Sequence, residues 1–466
     1  MKVFWLLYIL LVMPLPLLAD SDADDDLEEQ EELLEERLEE QLEEMLDAQE
    51  ELEDRLEDAL EERMEDELDD DLEDELEDEL EDKLDDSLDD REEELEDKLQ
   101  HILAARQLDE LEGRLEGAFD ETEPERFIAL LSAEEWQALQ AQGVKAVAAE
   151  PLPALGLHLI TFEEMPELPE QQKALQDTVA PDHYYRLDGD AAPNAAQKPA
   201  ADSGLHAADA LGWAQARTAQ RIIGMMDSGI DMAHPCFAGV NIAQREFHAA
   251  DALPDSRHGT AIAGLLAANS SCAVPGLLTS VRLVNAVVFA RSADGPVQAS
   301  AGQLIAGLDW LLQNDVELIN MSLSGPPNPL LQRVLTQVQA RGVQLLSSVG
   351  NDGAAAFPRY PAAYAEVIAI TAVDEQQRIF NRAVQGEHVE FALPGVNLRV
   401  VTADGNGVMS GTSFATALAT AVLASRPAED CQTERERLAR QALDLGEAGR
   451  DPVFGFGLMS SLFNEN

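Results

Sequence analysis

Three short stretches place an acid, an imidazole and a hydroxyl in order along the chain: Asp227-Ser228-Gly229, His258-Gly259-Thr260 and Gly411-Thr412-Ser413-Phe414-Ala415-Thr416. An alcohol is a poor nucleophile at neutral pH. It needs a base in contact, and the base needs an acid that fixes its tautomer. An Asp, a His and a Ser can fill those roles, and the chemistry they support is acyl transfer. The intermediate of such a reaction carries a negative oxygen, so hydrogen-bond donors must wait for it. Ser413 opens the run Ser413–Leu423, whose Ala, Thr, Leu and Val content reads as a buried helix. The N-terminus of such a helix offers unpaired N–H groups and a favourable dipole, while Gly411 lets substrate backbone come close. Asn351, in Gly350-Asn351-Asp352-Gly353, supplies a second donor through its side-chain amide. An Asn between glycines is otherwise a turn residue.

The elements that must hold these groups are legible as apolar runs. Arg221–Met226, Val281–Phe289, Val316–Met321, Val343–Val349 and Val367–Ala372 alternate with helical segments. Buried strands alternating with helices predict a parallel sheet covered on both faces. Site residues then fall at strand ends and helix N-termini. Asp227 ends the first run, and His258 opens the small-residue apolar helix Gly259–Ala267.

The sequence around each residue resembles the subtilisin-like serine proteases (subtilases, peptidase S8). Asp227-Ser228-Gly229-Ile230-Asp231-Met232-Ala233-His234-Pro235 and His258-Gly259-Thr260-Ala261-Ile262-Ala263-Gly264 carry the likeness, and the order Asp, His, Ser is subtilisin's. The resemblance implies a serine endopeptidase acting on protein or peptide, with Asp227, His258 and Ser413 as its triad and Asn351 in the oxyanion hole. Asp231 and His234 read as loop structure. Asn320-Met321-Ser322-Leu323-Ser324-Gly325-Pro326 resembles the family's cleft strand, whose free edge pairs with extended peptide. Ser322, Leu323, Ser324, Gly350 and Asp352 are thereby implied to bind substrate. Asp352 would stand near the mouth of the primary pocket and favour basic residues before the cut. Gly455-Phe456-Gly457-Leu458 matches the family's closing segment. Two departures occur: Ala261 stands where a second His is usual, and Ala417-Leu418 replace Pro and, often, His. They predict an altered start to the nucleophile's helix rather than lost activity. No metal or cofactor is needed for the chemistry. A structural calcium ion is left open, since no EF-hand loop specifies one.

The chain has 466 residues and a net charge of -61, unevenly spread: residues 1–120 hold 52 acids and 9 bases. A field of that sign repels nucleic acid and anionic lipid. Lys2, the apolar run Val3–Ala19 and the following wall of acids read as a signal peptide over 1–19, so the protein is expected to be secreted or periplasmic. Membrane attachment follows only if that segment stays uncleaved. Residues 20–120 form an acidic Asp/Glu/Leu arm. Leu68, Leu72, Leu76, Leu80 and Leu84 recur at every fourth position, a stripe that drifts about 40° per step, so no coiled coil is expected. Repulsion among acids leaves the arm partly helical or disordered. Cys236, Cys272 and Cys431 allow one disulfide at most. Cys236–Cys272 is the first choice, with three buried thiols as the alternative.

Residues 121–187 read as strand, helix, strand, strand, helix, strand, with a capping box at Ser132-Ala133-Glu134-Glu135, helix signals over 169–178 and a last strand near His183-Tyr184-Tyr185. This resembles the inhibitory propeptide of subtilases, an intramolecular partner; an unrelated small α+β module is the alternative. Residues 188–203 read as a linker and 204–466 as the protease domain. The expected fold class is therefore α/β: a subtilisin-like three-layer fold with a mostly parallel sheet, preceded by a small ferredoxin-like α+β propeptide-type domain and the acidic arm. The rivals are a protease fold that binds without cutting and a structural protein whose acidic arm carries the function.

Overall fold

The computed structural model describes residues 126–169, 173, 175, 178–188, 204–249, 252–291, 295–403 and 405–459. The apolar run 3–19, the acidic arm, most of the helix expected over 169–178 and residues 189–203 of the linker lie outside them. Among the described residues, the larger domain is built on seven parallel strands. In chain order, with one further strand that joins no part of that sheet, they are β6 (Ile223–Asp227), β7 (Asn241–Glu246), β8 (Arg282–Val287), β9 (Val297–Ser300), β10 (Leu318–Met321), β12 (Gln344–Ser348), β13 (Ile368–Val373) and β14 (Phe391–Pro394). β9 is the one outside; the sheet order is β14-β13-β12-β10-β6-β8-β7.

Strands such as β6, β10, β12 and β13 are buried along their whole length, which explains why they read as continuous apolar runs. Helices α2 (Arg257–Ala267) and α5 (Thr412–Ala424) cover one face. Helices α3 (Ala301–Gln313) and α4 (Pro329–Gln339) cover the other, giving three layers. Each element of the second pair starts on a polar cap. Ser300 and Gln303 form a capping box, and the Asn328 side chain accepts from the N–H groups of Leu330 and Leu331. With Ala417 where the family pattern has proline, α5 runs unbroken from Thr412 and is buried throughout.

The smaller domain precedes it: β1 (Phe127–Leu131), α1 (Ala133–Ala141), β2 (Ala148–Leu152), β3 (Leu157–Phe162) and β4 (Val179–Pro181). Its antiparallel sheet has the order β2-β3-β1-β4, the ferredoxin-like arrangement. The expected capping box is present, with Ser132 Oγ accepting from Glu135 N and the Glu135 carboxylate accepting from Ser132 N. β1 is apolar on both faces because both are covered. Ala129 and Leu131 pack with Trp136 and Leu139 of α1, while Ile128 and Leu130 enter the core that holds α3 and α4. Polar contacts complete the joint: Gly302 N donates to Asp182 Oδ1 at 2.8 Å, and Leu155 N to Asp309 Oδ1 at 2.9 Å.

One sequence expectation is corrected here. The last strand of the small sheet is Val179–Pro181, not the segment near His183-Tyr184-Tyr185. That segment begins β5 (Tyr184–Leu187), which leaves the small domain for a different sheet. The chain turns out at Asp182 and His183, whose carboxylate and carbonyl both accept from the first turn of α3, drawing β5 toward the larger domain. Cys236 and Cys272 form a disulfide, and Cys431 is a buried free thiol. Among the described residues no helix is long and apolar enough to cross a membrane.

Candidate active site

Asp227 is the last residue of β6, and His258 stands in the first turn of α2. His258 Nδ1 lies 2.9 Å from both Asp227 oxygens, and the carboxylate also accepts from Ser228 N at 2.6 Å. Asp227 is fully buried and His258 nearly so. The glycine after His258 has a steric cause. A Cβ on Gly259 would stand 2.3 Å from Ser228 O and 2.7 Å from Gly229 O, so only glycine lets α2 abut the turn that follows β6. The joint is then stitched by hydrogen bonds. Gly259 N donates to Ser228 Oγ at 3.0 Å, and Asp231 N to Thr260 Oγ1 at 2.9 Å. Asn285, in the neighbouring strand β8, donates to Ser228 O at 3.0 Å; sequence reasoning did not single it out. Asp231 and His234 serve the loop, His234 Nδ1 accepting from Cys236 N.

Ser413 lies in the first turn of α5, and its Oγ is buried without a hydrogen-bond partner among the described residues. The ring of the next residue, Phe414, sits 5.9 Å from the His258 ring, which sets the imidazole beside the start of this helix. Asn351 Oδ1 accepts from Thr412 N at 3.2 Å and Thr412 Oγ1 at 3.1 Å. With the oxygen held there, the Nδ2 donor is turned toward Gly411. A Cβ on Gly411 would stand 3.3 Å from Asn351 Nδ2 and 3.1 Å from Asp188 O. The amide donor, the Asp188 carbonyl and the helix that carries Ser413 therefore converge at one glycine.

The segment expected as the cleft strand forms β11 (Leu323–Ser324), and its edge is paired with β5 of the same chain. β5 runs antiparallel between β11 and β9. Leu323 faces Leu187, Ser324 faces Arg186, and on the other side Ala299 faces Tyr185. Asp188 N donates to Ser322 O at 3.3 Å. Tyr185 is buried, its ring crowding Gly325 and its Oη donating to Pro326 O at 3.0 Å. Ser322 also joins the cleft to the nucleophile's helix: Thr420 Oγ1 donates to Asn320 Oδ1, Asn320 Nδ2 to Ser322 Oγ, and Ser322 Oγ to Ser413 O. Gly350 has φ +102°, a conformation that favours glycine, and packs on the stem of Arg359.

Asp352 is no lone acid: Arg359 Nε donates to it at 2.7 Å, and Arg186, a basic residue of β5 itself, pairs with it as well. One expectation changes. Asp188, expected as the first residue of a linker, is buried with its side chain on Ser324 and Ser348. No short motif marks Asp188, Tyr185 or Ser348, because their roles come from the path of β5. Burial pushes the Asp188 carboxyl up to about 6. Among the described residues no group of three or more His, Cys, Asp or Glu is arranged to hold a metal ion.

The sequence profile of the subtilase family, Peptidase_S8, matches residues 219–457, just over half of the chain. The chain is 31% identical over 212 residues to the minor extracellular protease Epr of Bacillus subtilis, covering 44% of this chain and 32% of Epr. It is 30% identical over 251 residues to the subtilisin of Bacillus pumilus, covering 51% of this chain and 88% of that one. It thus spans about a third of the length of one of these relatives and most of the other. The crystal structure of fervidolysin from Fervidobacterium pennivorans, a keratinolytic enzyme related to subtilisin, superimposes with a TM-score of 0.59 at 20% identity. That likeness covers 74% of this chain and 61% of fervidolysin, and it concerns the fold.

Proposed function

This chain belongs to the subtilase family, and from that premise we propose that it is an exported serine endopeptidase made as a self-inhibited precursor. The observation that carries the reading is the convergence at Gly411 of the Asn351 amide, the Ser413 helix and the carbonyl of Asp188, a residue of the chain's own cleft-bound segment. Ser413 Oγ attacks the scissile carbonyl, and His258 takes its proton and returns it to the leaving amine. Asp227 holds the imidazole by its Nδ1 and stabilises it when protonated. Asn351 Nδ2 and the Ser413 N–H receive the oxyanion. Ser322, Leu323, Ser324 and Asp352, which meet β5 or Asp188, are assigned with Gly350 to substrate binding.

Self-inhibition is supported by the same segment. β5 occupies the edge that an extended substrate needs, and the small domain anchors it through α3 and α4. The domain reads as the propeptide, and the chemistry calls for no cofactor. Homology to extracellular proteases and the apolar run 3–19 support export.

Hydrolysis of casein tests the reading through Asn351. Asn351→Ala is expected to lower kcat by about 10²–10³-fold with little change in KM, the scale for one lost oxyanion donor. Asn351→Asp keeps an acceptor for Thr412 but removes the Nδ2 donor, and it should fall as far. If Asn351→Asp retained wild-type turnover, Asn351 would be an orienting residue for Thr412 and not a donor to the oxyanion.

A further inference from the structure

The buried side chain that follows β5 is an acid. Asp188 is 4% exposed, and its two carboxylate oxygens are each met by one serine: Oδ1 by Ser324 Oγ at 2.5 Å and Oδ2 by Ser348 Oγ at 2.6 Å. Its main chain is held as a substrate's would be, the N–H on Ser322 O and the carbonyl oxygen beside Gly411 and Asn351 Nδ2. Three residues upstream, Tyr185 fills a buried slot against Gly325 and Pro326.

We propose that the primary pocket of this chain is built for a short acidic side chain, that the chain cuts itself after Asp188, and that its substrates carry aspartate at that position with an aromatic residue three places earlier. The proposal rests on the endopeptidase reading above and names its substrate class. In the step, a bond forms between Ser413 Oγ and the Asp188 carbonyl carbon, and the bond to the nitrogen of the next residue breaks. The Ser413 proton passes through His258 to that departing amine. Water then hydrolyses the ester, releasing the Asp188 carboxylate and restoring Ser413.

Other side chains fit this pocket worse. A lysine would bury an ammonium against two hydroxyls, with Asp352 already held by Arg359. A large apolar side chain would leave both serine hydroxyls unpaired, and buried unpaired polar groups are what discriminate most strongly. The charges that face Asp188 are Asp352, which repels its anion, and Arg186, which attracts it; desolvation outweighs both and raises its carboxyl to about 6. A carboxyl raised on docking contributes binding that is fully present below about pH 3.9 and is lost as pH rises through the docked value. The pocket therefore holds aspartic acid more tightly than aspartate.

Two measurements test this on the full chain. The N-terminus of the processed enzyme is expected at Gly189. The processed enzyme is then given acetyl-Tyr-Arg-Leu-Xaa-aminomethylcoumarin peptides at pH 6, with Xaa as Asp, Asn, Lys or Phe. The Asp peptide should exceed the Lys and Phe peptides by roughly tenfold or more in kcat/KM, from two hydroxyl hydrogen bonds of about 1 kcal/mol each. Ser324→Ala and Ser348→Ala should each shrink the Asp-over-Phe ratio about fivefold on the same basis. The KM of the Asp peptide relative to the Asn peptide should climb about tenfold between pH 5 and 7 and then level off. A faster Lys or Phe peptide, or a mature N-terminus elsewhere, overturns the pocket assignment while casein hydrolysis leaves the endopeptidase reading standing. If neither casein nor any peptide is cut, the endopeptidase reading falls and this proposal with it.

Discussion

Ser413→Ala is expected to lower kcat for casein by about 10⁶-fold, the loss recorded for subtilisin when its serine or histidine is removed. The Ser413 hydroxyl is buried and spends no hydrogen bond on the fold among the described residues, so its removal costs the reaction without costing the structure. The variant should therefore melt with the wild type and accumulate as the uncut full-length chain. His258→Ala and the triple variant should fall to a similar floor because the groups act as one unit, while Asp227→Ala alone should lose about 3 × 10⁴-fold. What remains above the uncatalysed rate comes from Asn351, the α5 N–H groups and binding in the cleft. Equal casein hydrolysis by wild type and Ser413→Ala would remove Ser413 as nucleophile and favour a protease fold that binds without cutting.

The second large effect concerns stability. Arg221, just before β6, is buried beside Glu434 of α6 (Cys431–Gln441), with paired contacts of 2.7 and 2.9 Å. Its remaining donors reach the carbonyls of Arg426 and Pro427, and Arg437 joins Glu434 from the same helix. The Arg221 and Glu434 side chains are 1% and 0% exposed, so removing either leaves a charge that water cannot reach. Glu434→Ala is expected to cost about 3–5 kcal/mol. That corresponds to a fall in Tm of roughly 6–20 °C for a domain of this size. Thermal unfolding should be followed in the Ser413→Ala background, where self-digestion does not blur the transition. Arg221→Met with Glu434→Leu should recover most of the loss, since an apolar pair avoids the desolvation cost altogether. A Glu434→Ala melt within 1 °C of the parent would show that this ion pair contributes nothing net.

The candidate catalytic groups were legible because local sterics and chemistry write them as short motifs. Gly259 is glycine because a Cβ would strike Ser228 O, and Asn351 sits between glycines because Gly350 adopts φ +102°. The central strands were legible because burial on both faces leaves them wholly apolar. Asn285, Thr420 and Ser348 were not. Each is an ordinary polar residue in an apolar element, and its partner lies 57, 100 or 160 residues away in the chain.

By itself the sequence marked the candidate set Asp227, His258, Ser413 and Asn351, the parallel α/β scaffold beneath it and the small α+β domain upstream. Only the tertiary structure decided what occupies the cleft. The segment Tyr184-Tyr185-Arg186-Leu187-Asp188 has strand-forming residues and no motif, and its period suits the small sheet as well as the large domain. Which edge it joins depends on where two domains meet. Asp182 and His183 accept from the first turn of α3, β5 pairs with β9 and β11, and Asp188 reaches two serines more than 130 residues away. Hydrogen bonds between such distant residues have no local signature, so the contacts that seat Asp188 on Ser324 and Ser348 were not legible in the sequence.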